Sequence, residues 1–199
     1  MSTIVMTVKV EFTTELLGSV PKNQDIYSRF VASKADNPDA AEGEMETVPF
    51  DDQKGYTGFH TDEDGPFVFD YVWKGFFKDA CSALRRVPKT HSKKLTAYKR
   101  VIDGLIFPEP RKIHLALPKG KELSVLERPL RAQTAQGERI ALAKSDIAPI
   151  GTSMEFDLLL LDENLKAIVL EWLDYGRLKG LGQWRNAGYG RFTYWLPRS

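Results

Sequence analysis

The chain has 199 residues, of which 42% are hydrophobic and 28% are charged, with a formal net charge of +1. This length and apolar content suit one domain with its own core. The single cysteine, Cys81, excludes an intrachain disulfide framework and a cysteine-based zinc site. The sequence contains no long apolar run typical of a membrane span or signal peptide, so we expect a cytoplasmic protein. We also expect no cofactor and no metal.

The first 70 residues predict a strand, a short helix and an acidic insertion. In residues 3–12 apolar and polar side chains alternate, which is the period of a half-buried strand. Residues 23–34 place apolar side chains at helical spacing. Residues 36–70 then carry eleven acidic side chains against Lys54 alone, with glycines and prolines among them, which predicts a mobile loop.

The charge reverses after residue 70. Residues 71–87 predict an amphipathic helix with a basic side, and a shorter helix is expected over 93–103. The near-neutral total therefore hides an acidic segment followed by a basic one, in which Asp79 is the lone acid. The basic side is either a solvated face or a binding surface. The acidic insertion either keeps the chain soluble or folds over the basic side as a mimic of phosphate.

The second half of the chain completes an α+β pattern. Strands are predicted over 111–118, 153–162 and 191–196, and a helix over 163–176 that ends on Gly176. Residues 123–150 form an insertion that resembles an irregular hairpin with Gln136-Gly137 at its tip. Without the two insertions the order is strand, helix, strand, strand, helix, strand. This order predicts a single domain, residues 1–199, with a ferredoxin-like (RRM-like) βαββαβ core.

Four glycines cluster before the last strand, in GLGQWRNAGYGRF at residues 180–192. Glycine suits positions where the backbone takes a positive φ or another group approaches it closely. The pattern Gly-apolar-Gly, five residues, Gly-apolar-Gly, with Arg185 in the spacer and Arg191 after it, resembles the glycine-rich loop of the RAMP superfamily. These are RNA-binding proteins of CRISPR effector complexes. Taken alone, the glycines also suit a tight connection between a helix and a strand.

Three further segments resemble the same family in order and place. They are the opening strand with its threonine-containing turn (8–21), the first core helix (73–86), and the Pro-x-Gly-Thr stretch that enters the third core strand (147–156). In the helix, Lys78 and Ala80 match a lysine and a small residue of the family pattern. The chain departs from that pattern before the helix, where the usual Pro-Gly-Ser is absent, and the acidic insertion has no counterpart.

The resemblance implies a backbone-type subunit that binds single-stranded, guide-type RNA, with copies of itself or other RAMP-type subunits as further partners and no membrane contact. Backbone N–H groups of a glycine loop can receive phosphate oxygens, and aromatic rings can stack on bases. Residues 123–150 would correspond to a thumb-like hairpin that reaches over the RNA, the alternative being an ordinary surface hairpin. The RNA-binding residues implied are Lys74, Lys78, Arg85, Arg86, Arg128, Arg131, Gly180, Gly182, Gln183, Trp184, Arg185, Asn186, Gly188, Gly190 and Arg191.

The sequence assigns no catalytic residue. His60, His91 and His114 are its only neutral-pH general bases, and none stands at a recognisable catalytic spacing. The acidic run at 60–65 lacks the alternation of an EF-hand loop and predicts a turn. Two alternatives stay open: a RAMP-type endoribonuclease that processes repeats or cleaves RNA, and a phage-encoded or accessory mimic that binds a CRISPR complex rather than RNA.

Overall fold

The computed structural model describes residues 3–32, 43–51, 55–134 and 137–197. These residues form α-helices, of which the longer ones are α1 (Gln24–Ala32), α2 (Asp70–Leu84), α3 (Tyr98–Leu105) and α4 (Leu165–Lys179). They also form twelve strands, which are β1 (Ile4–Phe12), β2 (Leu16–Leu17), β3 (Val20–Pro21), β4 (Tyr56–Gly58), β5 (His60–Asp62), β6 (Gly65–Phe69), β7 (Ile106–Glu109), β8 (Lys112–His114), β9 (Ser124–Thr134), β10 (Gly137–Ala148), β11 (Ser153–Leu160) and β12 (Phe192–Trp195). None of the helices so described is long and apolar enough to cross a membrane.

Four strands form a central antiparallel sheet in the order β12-β1-β11-β7. Helices α2 and α4 cover the face on which β1 buries Val8 and Phe12. Trp73 of α2 packs on Phe156 of β11 at 4.5 Å between ring centroids, and Trp172 of α4 is fully buried beside it in the same core. Burying side chains of this size contributes roughly 1.5–3 kcal/mol each. The sequence of these elements, β1-α2-β7-β11-α4-β12, is the ferredoxin-like order that was predicted.

The second core strand is not the one predicted. It is β7, residues 106–109, whereas the predicted strand at 111–118 contributes β8 to a separate three-stranded sheet in the order β5-β6-β8. Ile113 and Leu115 are buried there, so their alternation is real but belongs to another sheet. Strand β7 carries Pro108, which an edge strand tolerates because one side of it donates no ladder hydrogen bonds.

The acidic insertion differs from the predicted loop. Its described part contains β4, β5 and β6, and the run GPFVF at 65–69 buries three apolar side chains. The prediction rested on charge averaged over 35 residues, which obscured this short apolar strand. Residues 33–42 and 52–54 lie outside the described part of the chain.

A long hairpin, β9 and β10, occupies residues 124–148. Its ladder runs from Ser124↔Ile147 to Thr134↔Gly137, and its base joins a second sheet with β2, β4 and β3. The predicted tip residue Gln136 lies outside the described residues. Helix α4 does not end on Gly176, as predicted, but continues to Lys179. Gly176 lies inside the last turn of the helix, where the Phe192 ring occupies the space that a Cβ would fill.

His60 is buried inside the insertion. Its ring packs on Phe67 and Phe69, and its Nδ1 lies 2.9 Å from the Thr47 hydroxyl. Burial lowers the pKa of His60 to about 4, and the nearby positive charges of Arg111 and Lys112 act in the same direction. The folded chain therefore keeps this imidazole neutral at pH values where an exposed histidine binds a proton.

The stability of the chain should therefore fall as the pH drops through the window from about 6.5 to about 4. In this window the unfolded chain binds a proton at His60 that the folded chain does not, so the contribution is fully present above the window. The separation of the two pKa values corresponds to about 3 kcal/mol. Urea unfolding from pH 4 to 7.5 measures the slope, which His60→Phe should reduce. The exposed His91 gives the control His91→Gln, and a slope unchanged by His60→Phe would contradict the assignment.

Candidate RNA-binding cleft

The glycine loop connects α4 to β12 and is closed at its neck by glycines. Gly180 and Gly190 both have positive φ, and Leu181 donates its N–H to the carbonyl of Gly190 at 2.8 Å. A Cβ on Gly180 would lie 2.6 Å from the Tyr189 carbonyl oxygen, and one on Gly190 would overlap the Leu181 carbonyl group. The two ends of the loop therefore approach each other so closely that only glycine fits.

The neck of the loop rests on the segment that follows β1. Gly190 donates its N–H to the Glu15 carbonyl and Arg191 donates its N–H to the Thr14 hydroxyl, each at 2.8 Å. A Cβ on Gly182 would lie 2.6 Å from the Leu17 carbonyl oxygen. The threonine-containing turn and the glycine loop, which the family resemblance singled out separately, thus form one structural unit.

The tip of the loop is open, in contrast to its neck. Gly188 has a φ of 93°, and a Cβ there would meet no atom closer than 3.9 Å. Trp184 adopts a left-handed conformation with φ 50°, which costs a non-glycine residue roughly 1–2 kcal/mol. A short 3-10 helix, Arg185–Ala187, follows it. This backbone presents Trp184, Arg185 and the exposed Asn186 outward rather than into the core.

An open cleft of about 580 Å³ lies between the loop, the end of α4 and the hairpin. Arg128 of β9 stacks its guanidinium over the Trp184 ring at 4.7 Å, which connects the hairpin to the loop. Tyr189 packs edge-on against Trp184 at 6.2 Å between centroids. The residues that line the cleft are Arg128, Lys179, Gly182, Gln183, Trp184, Arg185, Asn186 and Ala187.

A carboxylate lies between two of the cleft's cations. Asp79 of α2 accepts a hydrogen bond from Arg185 at 2.6 Å, and Lys179 lies 3.9 Å from the same carboxylate oxygen. All three side chains are between about a quarter and two-fifths exposed, so the group is partly screened by water. Asp79 occupies a position from which an incoming phosphate oxygen could contact both cations.

On the other side of the cleft, Gln183 approaches hydroxyl groups of the second sheet. Thr57 Oγ lies 3.5 Å from Gln183 Oε1 and 3.1 Å from the hydroxyl of the buried Ser145. Ser145 in turn donates to the Gly18 carbonyl at 2.9 Å. No sequence pattern predicted Thr57 or Ser145 as part of the site. The sequence indicated Asp79 only as the lone acidic residue of a basic segment.

Comparisons with known proteins give matches to solved structures alone. No protein-family model matches the chain, and no curated protein does. The solved structures that match this chain include three whose match covers 98% of it. They are a chain of the type III-B Cmr-β complex bound to cognate target RNA (TM-score 0.48, 13% identity), a chain of a type IV-B CRISPR complex (0.49, 12%) and Cmr6 from Pyrococcus furiosus (0.47, 9%). The match covers 59%, 91% and 100% of those chains, so this chain spans little more than half the length of the first.

The predicted RNA-binding residues fall into three groups. Six of them line the cleft: Arg128, Gly182, Gln183, Trp184, Arg185 and Asn186. Gly180, Gly188, Gly190 and Arg191 shape or anchor the loop. The remaining side chains on α2 lie elsewhere, and the side chain of Arg131 is outside the described part of the structure.

The α2 side chains are divided between two surfaces. Lys78 forms an ion pair of 2.6 Å with Asp103 of α3, and Lys74 donates to the Asp103 carbonyl at 3.2 Å. Arg85 and Arg86 are exposed at the C-terminal end of the helix. The basic side chains predicted on this helix therefore do not form one continuous surface, because Lys74 and Lys78 both bind Asp103.

The histidines lie outside the cleft. His60 is buried, His91 is exposed, and His114 pairs with Asp62 at 2.9 Å. Hydrogen bonds from Lys112 and His114 lower the pKa of Asp62 to about 2. Asp62, Asp64 and His114 offer ligand atoms within 4.8 Å of one another at the predicted turn, but Lys112 and His114 already pair with Asp62 there.

Proposed function

We propose that this chain is a RAMP-like, CRISPR-associated subunit that holds single-stranded RNA in the cleft beside its glycine loop. The observation that carries the proposal is the convergence of Arg128, Lys179 and Arg185 on a cleft whose wall includes Trp184. Cations contact phosphates and an aromatic face stacks on a base, which is how proteins grip single strands. The resemblance of the loop to that of the RAMP superfamily supports the same site, and the cytoplasm is the compartment we propose.

The open face of the central sheet supports the cleft as the binding surface. Single-stranded RNA binds the sheet face of many RRM-like domains through aromatic side chains. Here the corresponding face carries Glu155 and Asp157 of β11, with Glu109 in register beside Asp157. Lys9 of β1 lies between Glu155 and the exposed Trp195 on the same face, so the carboxylates outnumber the cations there. Because these carboxylates repel phosphate, we propose that the RNA follows the cleft instead.

The hairpin supports the backbone-type role within this proposal. Arg128 lies on the face of the hairpin that meets Trp184. On the opposite face, Val125 is 51% exposed and Leu142 is 60% exposed. Exposed apolar side chains on a projecting hairpin suit contact with another subunit, so we propose copies of this chain or other RAMP-type subunits as its protein partners.

Replacing both cations that flank Asp79, in Lys179→Ala/Arg185→Ala, should weaken binding of a 30-nucleotide single-stranded RNA at least ~10-fold. The slope of log affinity against log salt should decrease by about 1.4, since each phosphate contact on a single strand contributes about 0.7. Fluorescence anisotropy between 50 and 300 mM salt measures both. Lys119→Ala/Lys166→Ala, which removes two exposed cations outside the cleft, is the matched control. Equal affinity of the double variant and the wild type would contradict the proposal.

A second variant, measured in the same way, should bind the RNA more tightly than the wild type. Asp79→Asn removes the carboxylate that competes with phosphate for Arg185 and Lys179, so it should tighten RNA binding about 3-fold to 10-fold at low salt. Glu163→Gln, an exposed change of the same charge, is its control. Weaker binding by Asp79→Asn would indicate that Asp79 positions Arg185 and does not compete with the RNA.

A further inference from the structure

A second basic surface lies at the C-terminal end of α2 and on the segment that leads into α3. It contains seven exposed cations within residues 85–100, and within the described part of the chain none of them pairs with a carboxylate. In this they differ from Lys78 and Arg185, which Asp103 and Asp79 partly neutralise. The seven are Arg85, Arg86, Lys89, Lys93, Lys94, Lys99 and Arg100, and we call them the α2–α3 basic surface.

The backbone beneath this surface is fixed by Glu171 of α4. Its carboxylate accepts the N–H of His91 at 2.6 Å, and the N–H and hydroxyl of Ser92 at 3.0 and 2.5 Å. The Trp172 indole donates to the same hydroxyl at 2.9 Å. These three hydrogen bonds from the backbone and Ser92 hold the loop in place against α4.

Further contacts tie both ends of the loop. Thr90 donates its hydroxyl to the Leu84 carbonyl at 2.9 Å, and the Arg85 guanidinium stacks on the Tyr98 ring at 5.2 Å. Lys89 and Ala97 adopt left-handed conformations, with φ of 66° and 47°. Such conformations cost non-glycine residues of order 1 kcal/mol each, and they persist only where the surroundings determine the backbone. The seven cations are therefore presented by a rigid segment.

We propose that the α2–α3 basic surface binds the phosphate backbone of nucleic acid, as a second contact for the strand that the cleft holds. That the strand is RNA follows from the proposed function, on which this inference rests. The cations of this surface begin six residues, or about 9 Å along the helix, beyond Asp79, and Arg85 stacks on Tyr98 on the side of α2 that faces α3, so the surface is separate from the cleft. Unpaired cations held close together repel one another, and a polyphosphate relieves that repulsion while releasing counterions.

The composition of the surface favours phosphate over a protein partner. Four of its seven cations are lysines, which are depleted in protein–protein interfaces, whereas such interfaces are enriched in aromatic side chains, methionine and arginine. Among the described residues, the Tyr98 ring contacts this surface, and Arg85 lies over it. The surface therefore offers charge without a stacking platform, which predicts binding that does not depend on base sequence.

The test is salt-dependent binding of the 30-nucleotide RNA by Lys93→Ala/Lys94→Ala/Lys99→Ala, alone and combined with Lys179→Ala/Arg185→Ala. We expect the triple variant to bind about 10-fold to 100-fold more weakly than the wild type, with a salt slope smaller by about 2. The combined variant should show no binding at 150 mM salt. Lys119→Ala/Lys121→Ala/Lys166→Ala removes the same charge from other exposed positions and is the control. Circular dichroism verifies that each variant is folded.

The outcomes separate this inference from the proposed function. If the cleft variant loses affinity and the triple variant does not, the inference is overturned and the cleft proposal stands. If only the triple variant loses affinity, the α2–α3 basic surface binds the RNA by itself, and both the cleft proposal and the idea of a strand shared with the cleft are overturned. An equal loss in the triple variant and its control would overturn the inference, because net charge alone would then explain the effect. RNA affinity retained by the triple variant, with loss of binding to polyglutamate, would also overturn it and indicate an acidic protein partner.

Discussion

Gly190→Ala is expected to destabilise the chain by about 3–5 kcal/mol or to prevent it from folding. Gly190 has a φ of 73°, and its Cα faces the Leu181 carbonyl so closely that a methyl group overlaps it. The substitution therefore combines backbone strain with a clash that only a shift of the loop neck relieves. That shift also breaks the hydrogen bonds from Gly190 to Glu15 and from Leu181 to Gly190.

Gly188→Ala is the matched control for this substitution. Gly188 also has a positive φ and lies in the same loop, but the space around its Cα is open. Its expected cost is about 1 kcal/mol, the price of a left-handed alanine. Urea unfolding followed by fluorescence measures both variants. Equal destabilisation by the two changes would show that the neck is looser than its geometry indicates.

Asp146→Asn is expected to cost about 3–5 kcal/mol of folding stability. Asp146 of β10 is 8% exposed and forms an ion pair of 3.1 Å with Lys22, whose ammonium also lies 4.1 Å from the centre of the Tyr56 ring. Tyr56 donates its hydroxyl to the same carboxylate at 2.7 Å, and burial, followed by this hydrogen bond, raises the pKa of Tyr56. Removing the carboxylate charge leaves Lys22 buried without its counterion.

The hairpin itself supplies the control for this change. Lys144 of β10 and Glu127 of β9 form an ion pair of 2.7 Å, but Glu127 is 51% exposed. Glu127→Gln should therefore cost less than about 1 kcal/mol. The double variant Lys22→Met/Asp146→Asn should recover part of the loss, because it no longer buries an unpaired charge. Urea unfolding of the three variants decides, and similar costs for Asp146→Asn and Glu127→Gln would contradict the buried-pair account.

Local periodicity predicted the elements whose two faces differ. Strand β1 and helices α2 and α4 each bury one regular face, so alternation or helical spacing was sufficient to find them. The same reasoning failed at β7 and β8, because both neighbouring segments bury apolar residues and periodicity does not say which sheet a strand joins. It also failed at Gly176, where a tertiary contact with Phe192 keeps a glycine inside the helix.

The candidate site was predictable where its residues are consecutive and not where they are distant. The glycine spacing indicated a shaped loop, and the structure gives it a tight neck and an open tip. No sequence pattern indicates that Asp79 meets Arg185 across 106 residues, or that Asp103 takes up Lys78. The first pairing depends on how the glycine loop packs on α2, and the second on how α3 packs on α2. Together they determine which cations are available to a ligand.

Crosslinking of RNA to the folded protein shows whether the strand lies in the cleft or on the open face of the central sheet. A 30-nucleotide single-stranded RNA containing 4-thiouridine would be irradiated with the chain, and the crosslinked peptides would be mapped by mass spectrometry. If the RNA lies in the cleft, crosslinks are expected within residues 182–189 and on β9 around Arg128, with Trp184 and Tyr189 as the main sites. Crosslinks confined to the open face of the central sheet, on β1, β11 and β12, would contradict this placement of the RNA.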